Sequence, residues 1–539
     1  MNKISYFLYL LSSICLLTAC SKEGKDEMPI IDDGSQLMVT VVGINEAQIS
    51  SKTSSTAKSS TVETSAKPLK TIQHAGFDVQ VSADNELPVH RDLKGAISSS
   101  TATGKGLRAE TNSNSITYRL YLFNKDDSAF VSSSTLNFGT AGQLQVRSGK
   151  SYIWCALSYN NTEEIPDISA NNSSINLPEN KDVLYTAGEF TVPTTENAQV
   201  ELPITFNHKF ARIAVEINTM GMFANMTGMT AAVKFGNNTS ETITNGAIDI
   251  KTGNLSQTGL NQTLSTLQAR AFSDIESGYQ DRKIAYFYIP AMDVNQNLSA
   301  AVQINSLSIL LDDGTVRSFD TNLQATPFNF EQDISVIEPG KSYHFLFNMM
   351  ESALTVNGIQ WARQNLYLHN DAHNPYRFLH SYQSTAISAG WSAEMLMNQG
   401  DPCLKVYPEG SWRMPTVQET RTTIAPSGNG SFAVLTDNQS GVKYYDFKAS
   451  GTASPYPGNK LRFNIIPYEP LGLTRSRYWT SPLPVMNSGN LDVHIMEFFE
   501  PIFSFDNSVF IGLFIQGGGV AAHVRNNPLG LQIRCIREQ

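Results

Sequence analysis

The strongest constraint on the fold is an alternation of apolar and polar residues that recurs from Ile116 onward. Side chains in a β-strand point alternately to opposite faces, so this pattern is typical of strands with one buried face. It appears in Ile116–Leu122, Tyr152–Leu157, Val200–Phe206, Ile213–Ile217 and Ile284–Ile289. Asp313-Gly314 predicts a hairpin turn between Leu307–Leu311 and Thr315–Phe319. Because no long helical patterns separate these segments, the sequence predicts β-sandwiches rather than an α/β fold.

Length and composition limit the number and kind of domains. The 539 residues correspond to about three domains at ~100–200 residues each. Hydrophobic residues make up 41% and charged residues 16%, which is enough for packed cores and too little charge for a disordered chain. The net charge of −10 argues against a nucleic-acid partner, since phosphates require a basic surface.

Residues 1–19 have the parts of a secretory signal peptide, with a positive charge at Lys3 and an apolar stretch from Ile4 to Leu17. That stretch is shorter than the ~20 residues that cross a bilayer as a helix. Leu17-Thr18-Ala19-Cys20 resembles a lipobox, which implies that Cys20 receives a lipid. The alternative is an ordinary signal peptide that ends at a cysteine by chance. The charged stretch Ser21–Glu27 resembles the tether of Bacteroidetes lipoproteins on the outer face of the outer membrane.

The region between the signal peptide and residue 109 carries two strand signals in a polar context. Gln36–Asn45 predicts one strand and Phe77–Val81 a second, shorter one. Ser50–Lys70 and Lys94–Leu107 are rich in Ser and Thr and lack periodicity, which is typical of flexible linkers. We therefore predict that the start of the chain is loosely built.

The five cysteines are expected to have different roles. Cys15 leaves with the signal peptide, and Cys20 is the lipidation site. Cys155 lies in a run that predicts a buried strand, so we expect a core residue. Cys403 and Cys535 remain, and an oxidising cell surface favours a disulfide between them.

Four motifs occur in order before residue 353. They are Ile116–Asn124, Gly149–Ala156, Phe206–Ile213 and the turn Glu338–Tyr343. Together they resemble the fimbrillins, the Bacteroidetes pilus subunits of the Porphyromonas type, over about residues 36–352. The resemblance implies a mainly β chain with transthyretin-like β-sandwiches at 109–220 and 221–352. It also implies that residues 20–108 form a tether and propeptide with a removable first strand.

Residues 353–539 carry a different series of motifs. These are Asn357–Asn365, Tyr376–Phe378, Trp391, Asp401–Cys403, Gly410–Thr416, Tyr478–Ser481 and Ile533–Glu538. The series resembles the C-type-lectin-like module of the Fibrobacter major-paralogue type, which implies an α+β domain. Thr416 and Glu419 have the spacing of a capping box that opens a short helix.

The residues that could carry chemistry do not indicate an enzyme. The lectin-like fold is shared with formylglycine-generating enzymes, which depend on a reactive cysteine, whereas both cysteines here have a structural role. His369 and His373, with Asp371 between them, would share a face only in a helix, and their neighbours predict a turn. We predict neither a metal nor a cofactor.

Tryptophans of the last region are the remaining candidates for ligand binding. The sugar-binding lectins of this fold hold Ca²⁺ with Glu-Pro-Asn or Gln-Pro-Asp, and neither triplet occurs here. Trp391, Trp412 and Trp479 are a possible ligand surface for a glycan. Trp361 could also stack on a sugar, and the alternative is that all four tryptophans belong to the core.

In the fimbrillins an arginine-specific protease cuts between a first strand and the mature domain. The resemblance therefore implies a cut at Arg108, which follows a polar linker and precedes the strand at Ile116. The runner-up is Arg91, and the alternative is that both are ordinary exposed arginines. In the fimbrillins, such a cut removes the first strand, and a neighbouring subunit refills the groove by β-augmentation. The lipid on Cys20 would then be a transient membrane attachment that delivers the chain.

The resemblance implies an accessory subunit at the tip of a cell-surface fimbrium that supports adhesion and biofilm formation. A C-terminal segment held by Cys535 in a folded domain cannot act as a donor strand, so the subunit would end the filament. The expected partners are other fimbrial subunits, the protease, and a host protein or glycan receptor. The alternative is a surface lipoprotein that binds a glycan or host protein and never polymerises.

Overall fold

The computed structural model describes a mainly β chain. The described residues are 34–45, 70–74, 77–84, 116–169, 172–178, 180–236, 242–244, 246–256, 259–261, 268–269, 272–290, 298–319, 328–334, 338–380, 390–424, 432–436, 443–448, 460–465, 467–468, 473–487, 490–499, 515–516 and 531–538. Cys20, Arg91 and Arg108 lie outside them, so lipidation and cleavage stay predictions. No helix in these residues is long and apolar enough to cross a membrane.

The strands up to residue 208 include three of the five segments predicted from the alternating pattern. They are β1 (Gln36–Asn45), β2 (Lys70–His74), β3 (Phe77–Asp84), β4 (Thr117–Asn124), β5 (Phe130–Asn137), β6 (Gly142–Gln145), β7 (Ser151–Ser158), β8 (Ser174–Asn176), β9 (Leu184–Thr191) and β10 (Gln199–His208).

The strands from residue 210 to residue 351 include most of those in the second sandwich. They are β11 (Phe210–Gly221), β12 (Asn225–Gly236), β13 (Thr242–Thr244), β14 (Ala247–Asp249), β15 (Leu255–Ser256), β16 (Gly259–Asn261), β17 (Gln268–Ala269), β18 (Ser273–Glu276), β19 (Tyr279–Pro290), β20 (Leu298–Leu310), β21 (Val316–Ser318), β22 (Phe328–Ile334) and β23 (Ser342–Glu351).

The described part of the last region combines short strands with two α-helices. The strands are β24 (Leu354–Val356), β25 (Ile359–Trp361), β26 (Leu366–Leu368), β27 (Tyr376–Phe378), β28 (Trp412–Arg413), β29 (Phe432–Thr436), β30 (Lys443–Lys448), β31 (Lys460–Ile465), β32 (Pro467–Tyr468), β33 (Leu473–Trp479), β34 (Val485–Asn487), β35 (Asn490–Phe499), β36 (Ile515–Gln516) and β37 (Ile536–Arg537). The helices are α1 (Ala393–Gln399) and α2 (Val417–Ile424), with a 3-10 helix at Pro402–Lys405.

A seven-stranded sheet organises the first sandwich, in the order β5-β4-β7-β9-β10-β1-β6. The predicted alternation is confirmed in β7, where Trp154 and Ala156 join one core cluster and Cys155 and Leu157 join another. A small sheet of β15, β14 and β8 contributes Ile175 and Ile248 to the second cluster. Both faces of the large sheet are therefore covered.

The second sandwich pairs a six-stranded sheet, β18-β19-β11-β23-β3-β2, with a sheet of β17-β12-β20-β21 in which β22 also pairs with β20. The hairpin turn predicted at Asp313-Gly314 joins β20 to β21, with Gly314 at a φ of 82°. The turn before Ser342 is also present, with Gly340 at a φ of 78°. Glycine suits both turns because positive φ is strained for other residues.

The boundary expected at residue 220 needs correction. The strand Phe210–Gly221 is antiparallel to β19 and parallel to β23, so it is a central strand of the second sandwich. The first sandwich ends with β10 at His208, and the change of sheet takes place at Lys209. The strand Ile213–Ile217 was correctly predicted, but alternation alone does not tell which sheet a strand joins.

The last region has its own core and a four-stranded sheet in the order β24-β25-β37-β28. Helix α1 begins after Ser392, whose Oγ accepts a hydrogen bond from the Met395 N–H at 3.1 Å. The predicted capping box opens α2: Glu419 N–H donates to Thr416 Oγ1 at 3.2 Å, and Thr416 N–H donates to Glu419 Oε2 at 2.8 Å. These bonds satisfy amide groups that lack partners in the first helical turn.

Candidate functional site

The first strand, β1, lies inside the seven-stranded sheet rather than at its rim. It runs parallel to β10 from Gln36 to Asn45 and antiparallel to β6 from Gln36 to Val39. Leu37 and Val39 are completely buried in the core of the first sandwich, while Val42 is 70% exposed. A segment upstream of the predicted cut therefore fills a slot between two strands of the folded first sandwich.

The second upstream strand, β3, belongs to the second sandwich. It pairs antiparallel with β23 along its whole length, from Phe77 opposite Glu351 to Asp84 opposite His344. Phe77, Val79 and Val81 enter the core of the second sandwich. The Phe77 ring packs edge-on against the Phe319 ring, with 5.4 Å between the ring centroids. The prediction of one removable strand was therefore incomplete, because residues 20–108 contribute strands to both sandwiches.

Asp78 points to the opposite face of β3 and contacts the last region. It is 2% exposed, and Arg537 Nη1 donates a hydrogen bond to Asp78 Oδ2. Arg537 Nη2 also donates to the Glu351 carbonyl at 2.6 Å, and its guanidinium lies 4.7 Å from the ring centroid of Trp412. Burial raises the pKa of Asp78, and the Arg537 guanidinium opposes that rise. This pair thus joins the N-terminal segment to the last described strand.

Further charged groups surround this pair at the same interface. Arg317 Nη1 lies 3.2 Å from Glu351 Oε2, and Arg363 Nε lies 3.7 Å from Glu351 Oε1. Arg363 is 2% exposed and donates hydrogen bonds to both Ser352 oxygens, at 2.9 Å to the carbonyl and 2.7 Å to Oγ. Burial lowers the pKa of Arg363. Guanidinium groups therefore dominate the surroundings of Asp78.

Polar side chains dock the last region on the outer face of the six-stranded sheet. Tyr407 Oη donates to Asn348 Oδ1 at 2.6 Å and accepts from Asn218 Nδ2 at 2.8 Å. His373 Nε2 lies 2.8 Å from Asp281 Oδ2, which belongs to β19. The strands β3, β23, β11 and β19 each contribute one of these contacts. The last region is consequently held by several independent polar contacts besides Arg537.

A buried charged cluster stabilises the centre of this face. Glu216 Oε1 accepts a hydrogen bond from Arg282 Nε at 2.8 Å, and Glu216 Oε2 lies 3.0 Å from His344 Nε2. Burial alone would raise the pKa of Glu216, but the hydrogen bond to His344 and the Arg282 charge hold it below its usual value. Because each charged group has a partner, the sheet can bury this face.

The tryptophans predicted as a possible ligand surface do not form one. Trp391 is 4% exposed, and Trp412 and Trp479 are each 1% exposed, so all three belong to the core of the last region. Trp479 Nε1 donates to the Trp391 carbonyl at 2.7 Å, and Trp361 Nε1 donates to Thr423 Oγ1 at 2.9 Å. Trp361 and Trp479 thus bury their rings while their N–H groups find partners, as indoles usually do.

The described side chains of Cys155, Cys403, Cys535, His369 and His373 occupy structural positions. A disulfide joins Cys403 and Cys535, with Cα atoms 5.8 Å apart, and Cys155 is a buried free thiol. His369 lies in the predicted turn, where its Nδ1 accepts a hydrogen bond from the Asp371 N–H at 3.1 Å, whereas His373 faces Asp281. Among the described residues no group of three or more His, Cys, Asp or Glu could hold a metal ion.

The interface residues Asp78 and Arg537 were missed at the sequence level. Asp78 stands between two apolar residues in a short strand, which predicts a solvent-facing carboxylate. Arg537 follows the last cysteine and looks like any charged residue near a chain end. Their sequence separation leaves no local signal for the pair.

Comparisons with known proteins give only distant likenesses. No protein-family model and no curated protein matches the chain. Similar solved structures include a candidate cell adhesion protein from Bacteroides fragilis (11% identity, TM-score 0.28), with 44% of this chain and 80% of that chain covered. Another is a candidate cell adhesion protein from Bacteroides eggerthii (12% identity, TM-score 0.27), for which the match covers 58% of this chain and 86% of that chain. A third is the fimbrial anchor protein Mfa2 from Porphyromonas gingivalis (10% identity, TM-score 0.22), for which the match covers 39% of this chain and 75% of that chain. A likeness this distant establishes neither the fold nor the function of this chain.

Proposed function

We propose that this protein is an adhesive, non-catalytic accessory subunit of a cell-surface fimbrium that receives a strand from a neighbouring subunit. The observation that carries the proposal is the position of β1 between β10 and β6, with Leu37 and Val39 fully buried. This strand belongs to the segment upstream of the predicted cleavage site Arg108. Its removal would open a slot inside a folded sheet.

The slot has the properties that β-augmentation requires. Without β1, the facing backbone groups of β10 and β6 lose their ladder partners, and unpaired backbone groups are unfavourable where water is excluded. The sites of Leu37 and Val39 would also be left as apolar sockets. An extended segment with apolar residues at alternate positions would restore both the hydrogen bonds and the buried contacts.

The last described strand is poorly suited to act as a donor. The strand β37 pairs with β25 through Ile536 and with β28 through Ile536 and Arg537, and Cys535 is tied by the disulfide. Arg534 is fully enclosed, its Nε donates to Asn365 Oδ1 at 2.7 Å, and burial lowers its pKa to about 10. These contacts support an acceptor role and, with it, a position at the fimbrial tip.

The test is to block the predicted cut in cells that make the fimbrium. One variant is Arg108→Ala, and a double variant adds Arg91→Ala to it. Arg421→Ala is the matched control because it removes an exposed arginine of helix α2. Mass spectrometry of the mature N-terminus and immunoblots of sheared fimbriae are the measurements. We expect the wild-type chain to begin at Ala109, and the blocked variants to accumulate as precursor outside the fimbriae.

Two outcomes would contradict the proposal. One is normal incorporation of the doubly blocked variant, without any precursor. The other is a mature wild-type chain that keeps acylated Cys20, which would favour a surface lipoprotein that binds a glycan or host protein without polymerising.

A further inference from the structure

We propose that the edge of the second sandwich beneath β3 is a second acceptor site. Its occupant would be an extended segment of a neighbouring subunit that carries an acidic residue at the place of Asp78. This inference rests on the proposed function, because it requires that the segment upstream of Arg108 leaves. It adds a second site and states the charge that the incoming segment must bring.

A single cut would empty both sites. Strands β1 and β3 lie on one continuous stretch of chain upstream of residue 85. A cleavage at Arg108 therefore detaches both strands as one segment. That segment becomes free only when both β1 and β3 have left their sites. The second sandwich, like the first, would then lack a strand that a neighbouring subunit could supply.

The emptied edge would retain the features that recognise a strand. The strand β2 pairs only with β3 among the described residues, so the two leave as one hairpin and β23 becomes the edge strand. The sites of Phe77, Val79 and Val81 in the second core would lie open beside it. A replacement segment must therefore carry apolar side chains at three alternate positions.

The last region would keep Arg537 in place after the hairpin leaves. Tyr407 and His373 hold that region on strands β23, β11 and β19, none of which is upstream of the cut. Of the contacts described for the Arg537 guanidinium, only the Glu351 carbonyl and the Trp412 ring would remain. A guanidinium positioned beside an open strand edge selects a carboxylate, which it binds more strongly than a neutral group.

The selection should be strong because the site excludes water when filled. Asp78 is 2% exposed and Arg537 has a side-chain exposure of 10% in the closed site. Removing one partner of a buried ion pair leaves the other charge without compensation. We expect a neutral residue at this place to weaken binding by about 30-fold or more.

The experiment uses the exported chain with a site-specific protease sequence placed within residues 94–107. After cleavage and removal of the released segment, fluorescence anisotropy measures binding of a labelled peptide with the sequence of residues 68–86. The test peptide carries Asp78→Asn, and the control peptide carries Asp84→Asn, the same chemical change at the other end of the strand. A second labelled peptide, residues 34–46, reports on the slot in the first sandwich.

We expect the wild-type and Asp84→Asn peptides to bind alike and the Asp78→Asn peptide to bind at least about 30-fold more weakly. On an Arg537→Met chain the discrimination should fall to a few-fold, while Arg537→Lys should retain part of it. Near-UV circular dichroism, to which the buried tryptophans of the last region contribute, is the check that this region remains folded in both variants.

The outcomes separate this inference from the proposed function. If the 34–46 peptide binds and the 68–86 peptide does not, the second acceptor site is refuted and the first stands. Binding of the Asp78→Asn peptide within about threefold of the wild type would refute the acidic requirement. If the cut chain releases no segment, both the inference and the proposed function fail.

Discussion

The disulfide Cys403–Cys535 should make a large contribution to the stability of the last region. It closes a loop with a sequence separation of 132 residues. In the chain-entropy model a loop of this length restricts the unfolded chain by about 5 kcal/mol, and removal of a native disulfide typically costs 2–5 kcal/mol. For a domain of roughly 150–250 residues, where 1 kcal/mol shifts Tm by about 2–4 °C, the expected loss is at least about 5 °C.

The assay is differential scanning calorimetry of the double variant Cys403→Ala/Cys535→Ala, purified from an oxidising periplasm. The matched control is Cys155→Ala, which removes a buried thiol that forms no disulfide. A reductant should lower the Tm of the wild type and the Cys155→Ala chain and leave the double variant unchanged. A shift below about 2 °C in the double variant, or an equal response of all three chains to reductant, would refute the loop-entropy reasoning.

Three further changes test separate parts of the structure. Val39→Asp in the precursor should lower the free energy of unfolding of the first sandwich by about 3 kcal/mol or more, because it buries an unpaired carboxylate, whereas Val42→Asp on the exposed side should be nearly neutral in urea titrations. Gly221→Ala should destabilise the second sandwich by about 1–3 kcal/mol, since a Cβ there would lie 2.8 Å from a methionine Cβ and 2.9 Å from a backbone oxygen, while Gly43→Ala meets nothing within 4 Å. A hydrogen bond from Arg413 lowers the pKa of Glu419 to about 2. The stabilisation contributed by the Glu419 carboxylate is therefore present above pH 4.5 and lost as the pH falls toward 2. Because Glu419 is partly exposed, solvent screening reduces the effect of this shift. Glu419→Gln should therefore remove only about 1–2 kcal/mol at pH 7, and progressively less at lower pH, in denaturant titrations.

Local patterns predicted most strands because each strand needs only its own alternation to be recognised. The two faces of Tyr152–Leu157 separate into two core clusters as predicted, and Thr416 and Glu419 form the predicted capping box. In both cases the determining interactions lie within a few residues along the chain. The same holds for the turn at Asp313-Gly314.

Features that depend on distant pairing were not predictable in this way. Alternation in Ile213–Ile217 identifies a strand but not its neighbours, so the boundary between the sandwiches was misplaced. The tryptophans show a similar ambiguity, because a ring suited to a sugar is equally suited to a core. Asp78 pairs with Arg537 across a domain interface, and such a contact is fixed only when both folds are complete.

On the proposed function, the position of the upstream strands explains why a cut would be needed before assembly. While β1 and β3 remain attached to the chain, each is presented to its own site at an effective concentration on the order of millimolar. A neighbour's segment at lower concentration competes poorly with a tethered strand that makes equivalent contacts. Cleavage removes the tether, so the released segment dilutes and a neighbour's segment can replace it. The segment that completes both sandwiches in the precursor would thereby also prevent premature association, and the lipid on Cys20 would leave with it.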